Sequence, residues 1–353
     1  MELIPGLPYE IALACLIRAS YDQFSVIKSV CKRWRDLVSS KEFADLRKSS
    51  GFSQNCFCLV QATQKRFSVN PKGRHSPEYC LSLYDLSAKK WEKMKPMPGF
   101  EAGIPLFSQV VSVGHMLVVL GGWIPATLEV SSQIFLYDLI SGEWRRGKDI
   151  PEKCSFFACA SDSDDRIFVS GGHDDFKNAL ASGFMYHVSQ DHWERLPDMS
   201  RARDECRGVF ARGKFHVFSG YRTESQGHFE GDVEAYDPDM CTWGPVPEAQ
   251  LPDDTCPKPC MVGPTGEMYR CQRDGLFELT HGKRSWQQVA IIPEGARVNP
   301  YGLIWHGGVI VVGSGKNSGT QSWYTWRGEN RWDPMELPDG YSGYVQDGCC
   351  IEI

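Results

Sequence analysis

The chain has 353 residues, which is enough for about two domains. It carries 38 Lys and Arg residues against 44 Asp and Glu residues, a net charge of −6. Nucleic acid and anionic membrane surfaces both require clustered cations, so this balance disfavours either as a partner. Hydrophobic residues make up 42% of the chain, which predicts a folded core.

The 14 cysteines are scattered along the chain and show no spacing typical of a small secreted domain. The first eight residues lack the charged and apolar regions of a secretion signal. Apolar runs such as Met116–Leu120 are too short to span a membrane. We therefore expect reduced thiols and a location in the cytoplasm, the nucleus or both.

Residues 1–48 carry apolar residues at helical spacing. Pro8 can occupy the first position of a helix that runs to about Ala19 and is apolar on nearly all sides. A second apolar series, from Phe24 to Val38, predicts more helix. A segment of this length can build only a small core of its own. Its remaining apolar surface must therefore pack either against the rest of the chain or against another protein. The pattern alone leaves both possibilities open.

Two sequence motifs in this segment are specific enough to indicate a family. Leu7-Pro8-Tyr9-Glu10-Ile11 with Leu16 is followed about twenty residues later by Val30-Cys31-Lys32-Arg33-Trp34 with Leu37. This pattern resembles an F-box, although Ala14-Cys15 stands where larger aliphatic residues are common. The resemblance implies three short helices that dock on the Skp-family adaptor of an SCF (Skp–cullin–F-box) ubiquitin ligase, and through it on the cullin and RING subunits. The residues expected to form the docking surface and its support are Leu7, Pro8, Ile11, Leu16, Ile27, Val30, Cys31, Trp34 and Leu37.

Residues 49–353 are repetitive. Six tryptophans are spaced by 53, 49, 50, 43 and 46 residues, and four of them follow a tyrosine by seven residues. Glycine pairs such as Gly121-Gly122 and Gly171-Gly172 end apolar runs at a similar period. Each repeat offers four short strand-like runs separated by turn residues, which predicts four-stranded antiparallel sheets repeated around an axis, a β-propeller. The pattern resembles kelch repeats, which imply the same fold.

The period predicts about six blades, with five or seven left open because the fifth and sixth repeats are irregular. A propeller must close or leave sheet edges unpaired, and we expect the carboxy-terminal segment, Tyr344–Ile353, to complete the first blade. The glycine pairs are expected to let aromatic rings lie against the backbone. The fold class is therefore an all-β six-bladed kelch propeller (residues 49–353) preceded by a small all-α F-box domain (residues 1–48).

The combination of an F-box with kelch repeats is typical of plants, and the whole chain resembles plant F-box/kelch-repeat proteins. One subgroup is resembled in the stretches Leu3-Ile4-Pro5, Gly103–Phe107, Ser155–Asp164, Gly171–Asp174 and Arg203–Cys206. The resemblance implies a non-catalytic substrate receptor for ubiquitination and proteasomal degradation, without metal or cofactor. In that subgroup the target is phenylalanine ammonia-lyase of phenylpropanoid metabolism or a type-B response regulator of cytokinin signalling.

The target-binding residues are expected in loops, where sequence can vary without breaking the sheets. The segment from Arg201 to Arg207 packs many ionisable residues, and later repeats have charged residues in comparable places. Arginine suits protein interfaces, whereas a solvated or self-paired turn is the structural alternative. The candidate target-binding residues are Arg201, Arg203, Asp204, Glu205, Arg207, Asp253, Asp254 and Arg297.

Other functions remain open at this stage. A kelch scaffold without a ligase role would also show this repeat pattern, and so would a propeller enzyme or a sugar-binding protein. His173-Asp174-Asp175 could offer metal ligands, and Cys256 with Cys260 could begin a zinc site. Neither has a second ligand pair at fixed spacing, so we predict no metal site.

Overall fold

The computed structural model describes residues 2–69, 75–101, 103–245, 260–263, 266–272, 275–279, 286–305, 307–316, 318, 320–328 and 331–353. The amino-terminal part forms helices, and the remainder forms six four-stranded antiparallel sheets, the blades of a β-propeller. The helices are α1 (Tyr9–Ile17), α2 (Phe24–Val30), α3 (Lys32–Val38) and α4 (Lys41–Ser49).

The strands follow one another blade by blade, except that the innermost strand of blade 1 comes from the other end of the chain. Blade 1 contains β1 (Asn55–Val69), β2 (His75–Asp85), β3 (Lys90–Lys93) and β24 (Val345–Glu352). Blades 2 and 3 contain β4 (Gln109–Val113), β5 (Met116–Leu120), β6 (Ile134–Asp138), β7 (Glu143–Gly147), β8 (Ala158–Ser161), β9 (Arg166–Ser170), β10 (Gly183–His187) and β11 (His192–Leu196). Blades 4 to 6 contain β12 (Arg207–Ala211), β13 (Lys214–Phe218), β14 (Val233–Asp237), β15 (Thr242–Trp243), β16 (Cys260–Val262), β17 (Met268–Gln272), β18 (Gly275–Leu279), β19 (Gln287–Ile291), β20 (Val298–Trp305), β21 (Gly308–Ser314), β22 (Gln321–Trp326) and β23 (Trp332–Met335).

The ring closes as the sequence predicts. Strand β24 pairs antiparallel with β1, with Cys349 opposite Cys58, and completes the first blade. The blade number of six is confirmed. Because the innermost strand of blade 1 is supplied by the carboxy-terminal segment, the inner edge of β1 is paired with another strand.

The seven-residue spacing between tyrosine and tryptophan is a hairpin register. In blades 1 to 4 the two residues lie directly opposite each other on the third and fourth strands, with ring centroids 4.7 to 5.4 Å apart. Three of these tryptophans also donate an indole N–H to a backbone carbonyl of the preceding blade. The bonds are Trp144 Nε1 to Lys95 O (3.0 Å), Trp193 Nε1 to Lys148 O (2.8 Å) and Trp243 Nε1 to Pro197 O (2.7 Å). The repeated tryptophan therefore binds each of these blades to the one before it.

The glycine pairs have a different role from the one expected. Only Gly121 approaches an aromatic ring, that of Phe157, at the close distance foreseen. A Cβ on Gly122 would lie 2.7 Å from the backbone carbonyl of Leu106, and one on Gly172 would clash with the carbonyl of Ser155. Because these glycines have no side chain, the segment that enters the blade can pack its backbone directly against theirs. The second glycine of each pair also has a positive φ angle, 88° at Gly122 and 85° at Gly172, which favours glycine at that position.

The helical segment departs from the prediction in two places. Pro8 precedes α1 in an extended conformation instead of occupying its first turn, and its carbonyl accepts the N–H of Ala12. The apolar series from Phe24 to Val38 is broken at Cys31, which is extended (φ −161°, ψ 165°). The Cys31 carbonyl accepts the N–H of Arg35, so a separate helix begins after Cys31. There are consequently four short helices and not three.

The helices share a core with blades 1 and 2. Phe24, Val38 and Phe43 belong to the same buried apolar cluster as Cys56 of β1. Beside this cluster lies Arg47, only 1% exposed, which donates to Ile17 O and Ala19 O at 2.6 Å and to Ile353 O at 3.4 Å. One buried guanidinium thus joins α1, α4 and the end of β24, and burial lowers its pKa.

The two ends of the propeller differ. At one end lie the short turns within blades, such as 114–115 between β4 and β5; we name it the turn face. At the other lie the longer loops between second and third strands and the connections between blades; we name it the loop face. The helices sit on the turn face, where Lys28 lies 3.8 Å from Asp138 and Lys41 lies 3.3 Å from Asp164. The loop face is therefore free of the helices.

We expect Trp193→Phe to lower the free energy of unfolding by about 0.5–1.5 kcal/mol, because it removes the partly buried hydrogen bond from the indole to Lys148 O. Trp91→Phe is the matched control, since the Trp91 indole donates to no backbone carbonyl among the described residues. Guanidinium unfolding of both variants measures the difference. Equal losses would show that ring packing, and not the indole hydrogen bond, joins the blades.

Candidate protein-docking surfaces

The helical segment exposes a set of large apolar side chains in spite of the shared core. Tyr9, Ile11, Val26 and Val30 are 45–66% exposed. The Arg33 guanidinium lies 5.8 Å from the ring of Tyr9, so the beginnings of α1 and α3 are neighbours. A cluster of exposed apolar residues on short helices is typical of a protein-binding surface.

The nine predicted adaptor-binding residues form a surface and its support. Four are exposed, four are half-buried and one is buried: Pro8, Ile11, Val30 and Cys31; Leu7, Ile27, Trp34 and Leu37; and Leu16. Trp34 is oriented by its indole N–H, which donates to Leu3 O at 2.8 Å. That an adaptor contacts these residues stays a prediction.

On the loop face, three aromatic side chains from successive loops meet in what we call the aromatic patch: Phe107, Trp123 and Phe156. Their ring centroids are 5.0 to 5.8 Å apart. Phe107 is 42% exposed, and the other two are half-buried. Exposed aromatic residues that are held in place by one another are favoured anchors of protein interfaces.

The backbone of the patch is strained. Phe107 and Phe156 have φ angles of 59° and 57°, a left-handed conformation that costs about 1–2 kcal/mol in a residue with a side chain. Each of the two residues lies in the segment that leads into a blade, at the point where its backbone packs against a glycine pair. This close packing holds the left-handed conformation in place. Strain that a rigid surrounding maintains is a feature of functional sites.

Beside the patch, the imidazole of His173 connects three loops. Its Nδ1 lies 2.8 Å from Asp204 Oδ1, and its Nε2 lies 2.8 Å from Ser155 Oγ and 2.7 Å from Lys177 Nζ. Because an ammonium group can only donate, Nε2 accepts and Nδ1–H donates to Asp204. The ring also lies 5.6 Å from that of Phe156, so the network supports the patch.

Ser155, His173 and Asp204 have the connectivity of a hydrolase triad. All three are buried, and Ser155 is 0% exposed. In this conformation no substrate carbonyl can reach the seryl oxygen, so the arrangement acts as a connection between loops. In the described part of the chain, His, Cys, Asp and Glu side chains form no group of three that could hold a metal ion.

Two of the predicted target-binding residues are internal. Arg203 is 2% exposed and donates to Asp232 Oδ1 at 2.6 Å and Oδ2 at 2.9 Å, and Asp204, also 2% exposed, accepts from His173. Burial raises the pKa of Asp232, but the bonds from Arg203 outweigh it and hold the pKa below its usual value. The sequence could not reveal this because Asp232 comes 29 residues later. In this structure both side chains support the loops from inside, and a direct contact of either with a target stays a prediction.

The other predicted residues are distributed differently. Arg201 is exposed and pairs with Glu230 at 3.0 Å, and Glu205 is half-buried beside Tyr221. Arg297 donates to Ile292 O, remote in sequence from this region. Arg207 lines the central channel, a cavity of about 1280 Å³ that opens towards the helices. Asp253 and Asp254, like Cys256, lie outside the described residues.

The aromatic patch and Lys177 were missed in the sequence. A signal existed, because Phe107, Phe156 and Glu205 stand 49 residues apart at the same position of successive repeats. Aligning the repeats on this position would have shown two aromatic residues at the entrance to consecutive blades. No helix in the described part of the chain is long and apolar enough to cross a membrane.

We expect Arg203→Leu to cost about 3–5 kcal/mol of stability at pH 7, because it removes the buried cation that pairs with both Asp232 and Glu234 and leaves Asp232 only its contact with the exposed Arg201. The loss should shrink as the pH falls, because Arg203 holds the pKa of Asp232 below its usual value in the unchanged protein, whereas burial without that cation favours the protonated carboxyl group in the variant. The control, Arg201→Leu, removes an exposed ion pair and should cost less than about 1 kcal/mol. Urea unfolding at several pH values measures both variants, and similar losses would contradict the assignment.

Comparison with known proteins agrees with this division of the chain. The model of the F-box domain matches residues 4–46, and that of the Kelch motif matches residues 154–200. The F-box/kelch-repeat proteins At1g15670 and At1g80440 of Arabidopsis thaliana are each 40% identical to this chain over the full length of both proteins. The F-box/kelch-repeat protein SKIP20 of the same plant is 31% identical over 97% of this chain and 94% of its own.

The alignments with At1g15670 and At1g80440 cover both the helical segment and the propeller of this chain. The chain belongs to the plant F-box/kelch-repeat protein family.

Proposed function

We propose that the protein is the substrate-recognition subunit of an SCF-type ubiquitin ligase. The observation that carries the proposal is the placement of two exposed surfaces on opposite faces of one propeller. The helices, with Ile11 and Val30 exposed, lie on the turn face, and the aromatic patch lies on the loop face. The first surface binds the Skp-family adaptor, which brings the cullin and RING subunits, and the second binds the target.

The contribution of the chain to ubiquitination is proximity and not chemistry. Holding a target beside the ligase raises its effective concentration and makes an encounter of two proteins effectively intramolecular. The shared core and Arg47 fix the helices to the propeller, so the target is held at a defined distance from the adaptor. This fixed geometry supports the role of a receptor.

The target is phenylalanine ammonia-lyase or a type-B response regulator. The support is that one residue from each of four stretches resembling the corresponding plant subgroup lies in the patch or its supporting network on the loop face: Phe107, Ser155, His173 and Asp204. The first target would place the protein in phenylpropanoid metabolism and the cytoplasm, the second in cytokinin signalling and the nucleus.

We expect Ile11→Asp combined with Val30→Asp to weaken capture of the Skp-family adaptor more than tenfold, since charges would enter an apolar interface. Because both side chains are exposed, the circular dichroism spectrum and melting temperature should stay unchanged. Leu7→Ala with Pro8→Ala should give the same loss. Met240→Asp changes an equally exposed apolar residue in a turn of blade 4 and is the control. Undiminished capture by the double variants would sink the proposal.

We expect Phe107→Asn to reduce capture of the target several-fold when the proteasome is blocked, with adaptor capture unchanged. Asparagine tolerates the left-handed backbone, so relief of strain offsets lost ring contacts and stability should change by less than about 1 kcal/mol. Lys89→Asn relieves the same backbone conformation on the turn face and should leave both captures intact. Immunoblots for phenylalanine ammonia-lyase and type-B response regulators decide between the targets, and recovery of neither contradicts both.

A further inference from the structure

The loop face holds a lysine whose charge is not matched by a carboxylate. Lys177 lies at the edge of the aromatic patch, with Nζ 4.7 Å from the centre of the Trp123 ring. Its ammonium group bonds to His173 Nε2 at 2.7 Å, and no carboxylate lies within ion-pair distance among the described residues. An ammonium group has three N–H donors, so this lysine retains donating capacity towards solvent.

The neighbouring charges are already neutralised by one another. Arg201 and Arg222 both pair with Glu230, and Arg203 pairs with Asp232. The carboxylate of Asp174 turns back into its own loop and accepts the N–H groups of Phe176 and Asn178. Asp175 is the exposed acidic residue nearest to Lys177 in sequence, and its negative charge is opposite in sign to that of the lysine.

The same loop carries an apolar side chain directly before the lysine. Phe176 is 84% exposed, the most exposed large apolar residue in the described part of the chain. The loop that carries Lys177 therefore also carries exposed apolar surface, and Lys177 itself lies against the ring of Trp123. The backbone N–H of Ala179 donates to the side-chain oxygen Oγ1 of Thr223 at 2.8 Å and so connects this loop to the corresponding loop of blade 4.

From this juxtaposition we propose that the loop face recognises a target segment in which an apolar side chain, aromatic or leucine, stands beside a carboxylate. The apolar side chain packs on Phe107 and Trp123, and the carboxylate accepts a hydrogen bond from Lys177. Specificity follows because a basic residue in place of the carboxylate would meet the lysine with like charge. This inference rests on the proposed function and names the chemistry of its target.

The test uses the full chain in complex with the Skp-family adaptor and a displayed library of random short peptides. The expected result is selection of peptides with Asp or Glu next to Phe, Trp, Tyr or Leu. A selected peptide, labelled for fluorescence anisotropy, should bind Lys177→Glu at least tenfold more weakly, because a charge-assisted hydrogen bond is replaced by repulsion. Asp175→Asn should bind as tightly as the unchanged protein or more tightly.

The decisive arm is a charge exchange. The same peptide with Lys in place of its carboxylate should bind Lys177→Glu better than it binds the unchanged protein. Lys89→Glu places the same reversal on the turn face and should have no effect. Selection of peptides without acidic residues, an empty selection, or equal affinity for Lys177→Glu would overturn the inference. Adaptor capture in the same preparations distinguishes this failure from failure of the proposed function, which would abolish the complex itself.

Discussion

The pairing of β24 with β1 is the constraint on which the remaining structure depends. It completes blade 1 and so converts five complete blades and one incomplete blade into a ring without an unpaired inner edge at β1. The same strand leads to Ile353, whose carbonyl accepts from Arg47 and from the N–H of Gln54. One strand therefore closes the propeller and holds the helices on its turn face.

Much of this architecture could be predicted because its determinants are local. The spacing of Tyr137 and Trp144 is a hairpin register, and a hairpin is specified by residues close in sequence. The period of the repeat then gives the blade number. Closure of the ring was predictable for a different reason. The first repeat lacks a strand and the carboxy-terminal segment supplies an additional one, so pairing the two leaves neither with an unpaired edge inside the ring.

The features that escaped prediction depend on residues far apart in the sequence. Arg203 is internal because Asp232 and Glu234 reach it from another strand, and a charged run alone reads equally well as a solvated surface. The extended Cys31 does not alter the apolar periodicity, so the break between α2 and α3 leaves no sequence signal. The contact of Lys177 with Trp123 joins loops of two neighbouring blades, which come together only when the blades pack.

The junction around Arg47 has a consequence for how the protein is made. Ribosomes synthesise the helices first, yet the carbonyl of Ile353 that helps to seat them belongs to the last strand. A nascent chain therefore carries its helices without their final support until the whole ring has been translated and closed. A message cut short would yield a product whose unsupported helices expose Phe24 and Phe43, apolar residues that chaperones and quality-control proteases recognise.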